Sequence, residues 1–314
     1  MNHDDDRRAP RVSIPPVQPA GSKRIDLHCH TSASTEADEA VLIALKCPES
    51  YSDPAQVYDQ AKRRGMDFVT VTDHDTLSGL AEARRAGAEL GVEILDGVEI
   101  STVDARKTSI HVLGYLFDPS SPALTEVLSR AQGGREARNL AIAARLNSLG
   151  MPIDLARVRA LAEGTVGRPH FARVMVSEGY VASMEDAFDL WLGDGKPAYV
   201  PEGALTPRDA VDALRAAGGV AVLAHPLSNG RSPDHALAEL RRAAKDGFDG
   251  AEVYYRSHTP GEVKMLASFA AQNGLIGTGG SDTHVLPWTH APALPATTLE
   301  RLRAKAARAR TSAP

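Results

Sequence analysis

Histidines and carboxylates recur behind strand-like runs along most of the chain, and this limits the possible folds more than any other feature. His28 and His30 stand two apart at the end of a run that begins at Ile25. His74 follows FVTV, and Glu99 ends the run VEILDGVE. His111 opens SIHVLGY, and His225 follows VAVLA. Asp282 and His284, again two apart, follow LIGTGG. In a strand, residues i and i+2 project to one side, so each spaced pair can address a single point. Cys29, between the first two histidines, then points to the other face and has a structural role. A parallel barrel gathers strand ends in this way, with its functional loops on the carboxyl rim.

The segments between these runs fit that reading. DPAQVYDQAKRRG reads as a helix that Asp53 caps, Pro54 starts and Gly65 ends. TLSGLAEARRAGAELG, TPRDAVDALRAAGG, HALAELRRAAKDG and EVKMLASFAAQNG are also helical, and FDGAEVYY is strand-like. Strand–helix alternation of this kind predicts a parallel α/β architecture. From Pro119 to about Gly203 the periodicity turns helical, with no buried strand. The expected layout is a tail over 1–23, a barrel over 24–118 and 204–297, a helical insertion over 119–203, and a C-terminal tail over 298–314. The last reads as an Ala/Arg-rich surface helix.

Composition excludes several classes. Of 314 residues, 43% are apolar and 24% charged, which is enough for a packed core. No run is long and apolar enough to span a bilayer, and the N-terminal stretch lacks a signal-peptide core. With only Cys29 and Cys47, no disulfide framework is required, and a cytoplasmic location is expected. A net charge of −5 leaves any nucleotide contact to a local basic pocket. No protein partner is evident.

Six histidines and two carboxylates are more ligands than one ion takes, so the pattern predicts two to three divalent metal ions. Imidazole with carboxylate suits manganese, zinc or iron. Cations held together in this way activate water and offset charge on phosphate oxygens, which points to hydrolysis.

DLHCHTSAS, TVTDHDTLSGL, DGVEIST, SIHVLGY, VAVLAHP and GSDTH occur in an order that resembles the PHP (polymerase and histidinol phosphatase) family of metal-dependent phosphoesterases, over roughly Arg24 to Trp288. The resemblance implies a distorted seven-stranded (β/α) barrel, TIM-like in character, with a trinuclear metal centre. It implies that His28, His30, His74, Glu99, His111, His225, Asp282 and His284 are ligands, with Glu99 as a bridge. The nucleophilic hydroxide would be held by Glu99, Asp282 and His225. The family usually has Asp after the serine of its first motif. Here Thr35 follows Ser34, so Glu36 or Asp38 is left to reach the third metal, with Glu36 taken as the candidate ligand.

REARNLAIAARLNSLG, GRPHFARVMVSEG and GKPAYVPEG resemble the stand-alone PHP enzymes that act on nucleoside 3′,5′-bisphosphates and on the 5′ ends of short oligonucleotides. Arg135, Arg168, His170 and Lys196 are therefore candidate substrate contacts, and Arg138 reads as a solvated surface charge. His170 is open to phosphate binding or to capping its own helix. Trp191 and Tyr199 are open to base stacking or to a core role. Two other readings remain: a small-metabolite phosphatase of the histidinol-phosphatase kind, and a non-catalytic metal-stabilised binding module.

Overall fold

In this computed structural model the chain is described over residues 25–31, 66–162, 166–201, 205–228, 231–283, 293–295 and 297–311. The tail over 1–23, the helix read from DPAQVYDQAKRRG, Glu36, Asp38, Cys47 and His284 lie outside these residues. Seven strands form one sheet in sequence order: β1 (Ile25–Cys29), β2 (Phe68–Val71), β3 (Glu93–Val103), β4 (Ser109–Tyr115), β5 (Val220–Leu223), β6 (Gly250–Tyr255) and β7 (Ile276–Gly280). The sheet curls until its edges meet. The Asp282 N–H donates to the His28 carbonyl at 2.7 Å, and the His30 N–H donates to the Thr283 carbonyl at 3.0 Å. The result is the nearly closed barrel expected from the sequence. Gly280 permits this approach, since a Cβ there would lie 2.5 Å from the His28 backbone nitrogen.

One strand departs from the expected parallel order. β4 pairs antiparallel with both β3 and β5. A turn of only five residues joins β3 to β4, too short for the crossover that a parallel neighbour requires. The reversal explains why His111 belongs at the start of its strand, because the N-terminal end of β4 lies on the same rim as the C-terminal ends of its neighbours. Glu99 likewise does not end its strand. β3 continues to Val103, and Glu99 pairs with Leu113 of β4.

The barrel holds two apolar clusters. Ile25, Leu27, Phe68, Leu95, Leu113, Val220, Val222 and Ile276 fill the inside. Val69, Val71, Ile100, Val112 and Val253 face outward, beneath helices α1 (Leu80–Leu90), α6 (Pro207–Ala216), α7 (Pro233–Asp246) and α8 (Pro260–Gln272). Pro at the first turn starts the last three, and Thr206–Asp209 and Thr259–Glu262 capping boxes secure α6 and α8. Cys29 lies in the outer cluster, as its position between two inward histidines predicts.

Between β4 and β5 the described residues are helical: α2 (Pro122–Ser148), α3 (Leu155–Ala160), α4 (Arg168–Ser177), α5 (Met184–Ala187) and a π turn (Phe188–Leu192). Ile142, Leu146, Val158, Phe171, Met175 and Leu192 form a third cluster there. No helix of the described residues is long and apolar enough to cross a membrane.

The C-terminal segment is the helix expected from its composition, but one face of it is buried. α9 (Thr298–Thr311) buries Leu299, Leu302 and Ala306 in the inner cluster of the barrel. Those residues are spaced by three and four, so they form one helical stripe. Polar side chains tie the helix to the barrel, with Thr298 Oγ1 donating to the Gly277 carbonyl at 3.2 Å and Lys305 Nζ 3.3 Å from Asp249.

Candidate metal centre

A β-bulge positions the first candidate ligand, His28. Asp26 of β1 pairs with Val69, but Cys29 pairs with Val71, so Leu27 and His28 together stand against one residue of β2. The extra residue lets Leu27 stay in the inner cluster while His28 turns to the rim. Asp26 Oδ1 secures the bulge by accepting the N–H groups of His28 and Ser281, each at 3.0 Å. Asp73 fixes the next turn by accepting from the Thr31 N–H and hydroxyl at 2.7 Å. His225 and Asp282 follow β5 and β7 with φ of 23° and 48°. These are rare conformations for residues with a Cβ, and they occur here at the site, where neighbouring contacts hold them.

These turns bring five imidazoles around one carboxylate. Glu99 has no exposed surface. Its Oε1 lies 2.9 Å from His111 Nδ1 and 3.0 Å from His225 Nε2. Its Oε2 lies 2.9 Å from His74 Nδ1, 3.4 Å from His30 Nε2 and 3.5 Å from His28 Nε2. Asp282 Oδ1 stands 3.2 Å from His30 Nε2 and 3.4 Å from His28 Nε2. Burial alone would lower the His28 imidazole, but Glu252, Asp282 and Glu99 together raise it well above its ordinary value. Burial would raise Glu99, yet His74, His111 and His28 hold it well below the usual carboxylate range.

The donor set fits divalent cations. His28, His30, Glu99 and Asp282 form one group, and His74, Glu99 and His111 a second, each with its ligand atoms within 4.8 Å of one another. Glu99 Oε2 is buried and makes no hydrogen bond although three imidazole nitrogens surround it. A buried carboxylate oxygen placed so is costly unless a cation takes the position its neighbours share. Sharing of Glu99 between the groups is the arrangement a bridging carboxylate requires.

A cleft of about 400 Å³ opens over the cluster, lined by His74, Glu99, His111, His225 and Asp282 on one side and by Arg135, Arg138 and Arg168 from the helical segment. Arg135 is clamped by Asp75 Oδ2, at 3.0 Å from Nε and 2.6 Å from Nη2, and also donates to Ser101 Oγ. Arg168 donates to Asp194 at 2.9 Å and to the Leu192 carbonyl at 3.2 Å. Its guanidinium carbon is 5.9 Å and 5.5 Å from the ring centres of Phe188 and Tyr199.

Other expected contacts fall elsewhere. Arg138 is 4% exposed and donates to the Val200 carbonyl at 3.1 Å, so its reading as a solvated charge is corrected. That side of α2 faces the cleft. His170 is buried away from the cleft wall, and its Nδ1 accepts the Gly167 N–H at 3.0 Å, capping α4. Lys196 is exposed and outside the cleft lining. Trp191 packs against the third apolar cluster, and Tyr199 is buried with its hydroxyl on the Lys107 carbonyl.

The sequence reading missed Tyr255, Glu252 and Phe188. Tyr255 lines the cleft and donates to Asp282 Oδ2 at 2.6 Å. Burial and the adjacent Asp282 raise its phenol well above its ordinary value. Nothing in FDGAEVYY places Glu252 and Tyr255, three residues apart, on one rim.

No family model matches the chain. The 5′-3′ exoribonuclease of Haemophilus influenzae is 34% identical over 263 residues, 84% of this chain and 90% of the relative. The 3′,5′-nucleoside bisphosphate phosphatase of Chromobacterium violaceum is 35% identical over 264 residues, 83% and 87% of the two chains. The chain belongs to the PHP family of metal-dependent phosphoesterases. A Bifidobacterium adolescentis structure assigned to the metal-dependent phosphoesterases matches this PHP chain with a TM-score of 0.74 and 30% identity, over 91% of this chain and 97% of the other. The shared framework spans both the barrel and the helical segment. The PHP protein is thus a metal-dependent phosphoric ester hydrolase.

Proposed function

We propose that this phosphoesterase removes a terminal phosphate from a nucleoside 3′,5′-bisphosphate or from the 5′ end of a short oligonucleotide. The observation that carries the proposal is the cleft shared by the carboxylate–imidazole cluster and four arginines, Arg135, Arg138 and Arg168 from the helical segment and Arg256 beside Tyr255. A substrate with one phosphate has little use for four guanidinium groups beside the cluster. A substrate with a second phosphate does, because the guanidinium fork matches phosphate oxygens. The activities named for the Haemophilus influenzae and Chromobacterium violaceum relatives support the same class.

The proposed ligands are His28, His30, His74, Glu99, His111, His225 and Asp282, joined by His284. Two ligand groups sharing Glu99 support a centre of two to three divalent ions, of manganese, zinc or iron type. Bound there, such cations would make water more acidic and offset negative charge on the phosphate oxygens. Glu99, Asp282 and His225 border the floor of the cleft, where the attacking water would be held. Tyr255 keeps Asp282 turned toward the cluster through its hydroxyl. Arg135, Arg138 and Arg168 would hold the non-reacting part of the substrate. The helical segment would serve as the wall that excludes water from the far side.

The test is phosphate release by the metal-loaded protein from adenosine 3′,5′-bisphosphate, a short 5′-phosphorylated RNA, histidinol phosphate and p-nitrophenyl phosphate. The expected result is a kcat/KM at least about tenfold higher for one of the first two, equivalent to about 1.4 kcal/mol. A preference for histidinol phosphate would replace this reading with a small-metabolite phosphatase. Full metal loading with no release from any of the four would leave a binding module.

A further inference from the structure

Glu252 lies within β6 without exposed surface, and one of its oxygens receives groups from two other strand ends. Glu252 Oε2 accepts the backbone N–H of His225 at 2.8 Å and stands 3.1 Å from His28 Nδ1. A backbone amide can only donate, so this oxygen is an acceptor. His28 Nδ1 facing it carries the hydrogen, which leaves the lone pair on Nε2. Nε2 is the atom directed at Asp282 Oδ1 and Glu99 Oε2.

His225 needs an anchor for a different reason. Its φ of 23° is rarely populated by a residue with a Cβ and persists only where surroundings hold it. That turn aims its Nε2 at Glu99 Oε1, 3.0 Å away. Glu252 belongs to neither ligand group and does not line the cleft. Its reach toward both histidines depends on a register shift in β6: Glu252 pairs with Thr278, while Tyr254 pairs with the very next residue of β7, Gly279. Glu252 and Tyr255 can therefore serve the same rim despite their odd spacing.

We infer that Glu252 is a positioning residue of the metal centre, fixing through one oxygen the tautomer and heading of His28 and the backbone turn that aims His225. It couples ligands from β1 and β5 to β6. The inference rests on the metal-centre reading above. Outer partners of this kind usually matter ten- to hundredfold for metal affinity.

Three variants separate reach from charge. Glu252→Gln keeps the length and one acceptor oxygen but loses the charge. Glu252→Asp keeps the charge but withdraws the oxygen by one methylene. Glu252→Leu removes both. Two readouts are taken besides activity: side-chain ¹⁵N shifts of the histidines in metal-free protein at a pH high enough to leave the imidazoles neutral, which report tautomers, and metal affinity by competition with a chromophoric chelator. In the wild type, His28 should be the Nδ1–H form. The Asp and Leu variants should lose that preference and bind metal about ten- to hundredfold more weakly. The Gln variant should stay closer to wild type than either. If the Leu variant does not fold, the Gln and Asp pair carries the comparison. An Asp variant with wild-type tautomer and affinity would overturn the inference, as would a Gln variant that binds metal more weakly than the Asp variant. A wild-type protein that takes up no divalent metal would overturn the metal-centre reading itself, a result distinct from either.

Discussion

Asp282 can be altered without disturbing the turn that carries it. Its φ of 48° is tolerated by Asn as well as by Asp. Its N–H still reaches the His28 carbonyl, and Tyr255 can donate to an amide oxygen as it does to Oδ2. What Asp282→Asn loses is the negative oxygen facing His28 and His30. Turnover should fall by roughly 10²-fold or more, the scale of losing a fixed group that stabilises transition-state charge. The melting temperature should change little. Kinetics, metal analysis and a thermal melt on one preparation check this, and near-normal turnover in a fully metallated variant would reject Asp282 as a ligand. At this scale the clustering of His28, His30, His74, Glu99, His111, His225 and Asp282 was legible in the sequence, because a histidine or carboxylate behind a strand is conspicuous among apolar residues. Glu252 and Tyr255 were not, since period-two alternation cannot place residues three apart on one rim and the register shift that does so leaves no mark in EVYY. Arg138 was misread because α2 is charged on both faces, and only the docked helix shows which face the barrel covers.

Strand direction was the least legible feature among the elements. SIHVLGY reads as a strand in either sense, and the short turn from Val103 to Ser109 was the available sign that it runs backward. α9 was legible in part. Leu299, Leu302 and Ala306 form a stripe, but the surrounding Ala and Arg residues hide it in composition. The helix packs among Ile25, Phe68 and Ile276, which lie at the N-terminal ends of their strands, so it seals the rim opposite the cluster. Leu302 has no exposed surface. Leu302→Ala should therefore cost about 2–5 kcal/mol through lost burial and the cavity left behind. At roughly 2–4 °C per kcal/mol for a domain of this size, the melting temperature drops well beyond error. At low temperature kcat should stay near wild type, because the cluster is at the other end. Unchanged stability would mean that α9 does not seal the barrel, and a selective loss of kcat would mean that it reaches the site.

The whole molecule sets three apolar clusters around one cleft: two belong to the barrel and one to the helical segment. Metal should link folding to function at this scale. Any ligand that binds the folded chain more tightly than the unfolded one stabilises it by mass action. Chelation should abolish activity and lower the melting temperature, and returning a divalent metal should restore both, with at least two ions per chain by elemental analysis. Less than one ion after reconstitution would contradict the shared role proposed for Glu99. The two sides of the cleft also hold their cations differently. Arg135 is clamped to Asp75 and Ser101 on the barrel, whereas Arg168 is held by Asp194, the Leu192 carbonyl and two aromatic rings within the helical segment. Arg168 is thus preorganised on the side away from the ligands, where a second phosphate would give binding energy that orients the first. Replacing Arg168 by Ala should impair hydrolysis of a 3′,5′-bisphosphate far more than that of p-nitrophenyl phosphate. A lost charge-assisted hydrogen bond is worth roughly 1.5–3 kcal/mol, so the ratio of the two kcat/KM values should fall by about tenfold to a hundredfold. Equal losses on both substrates would place Arg168 at the reacting phosphate or in support of the fold. No loss on either would remove it from the substrate site and leave Arg135, Arg138 and Arg256 as the arginines that face the cluster.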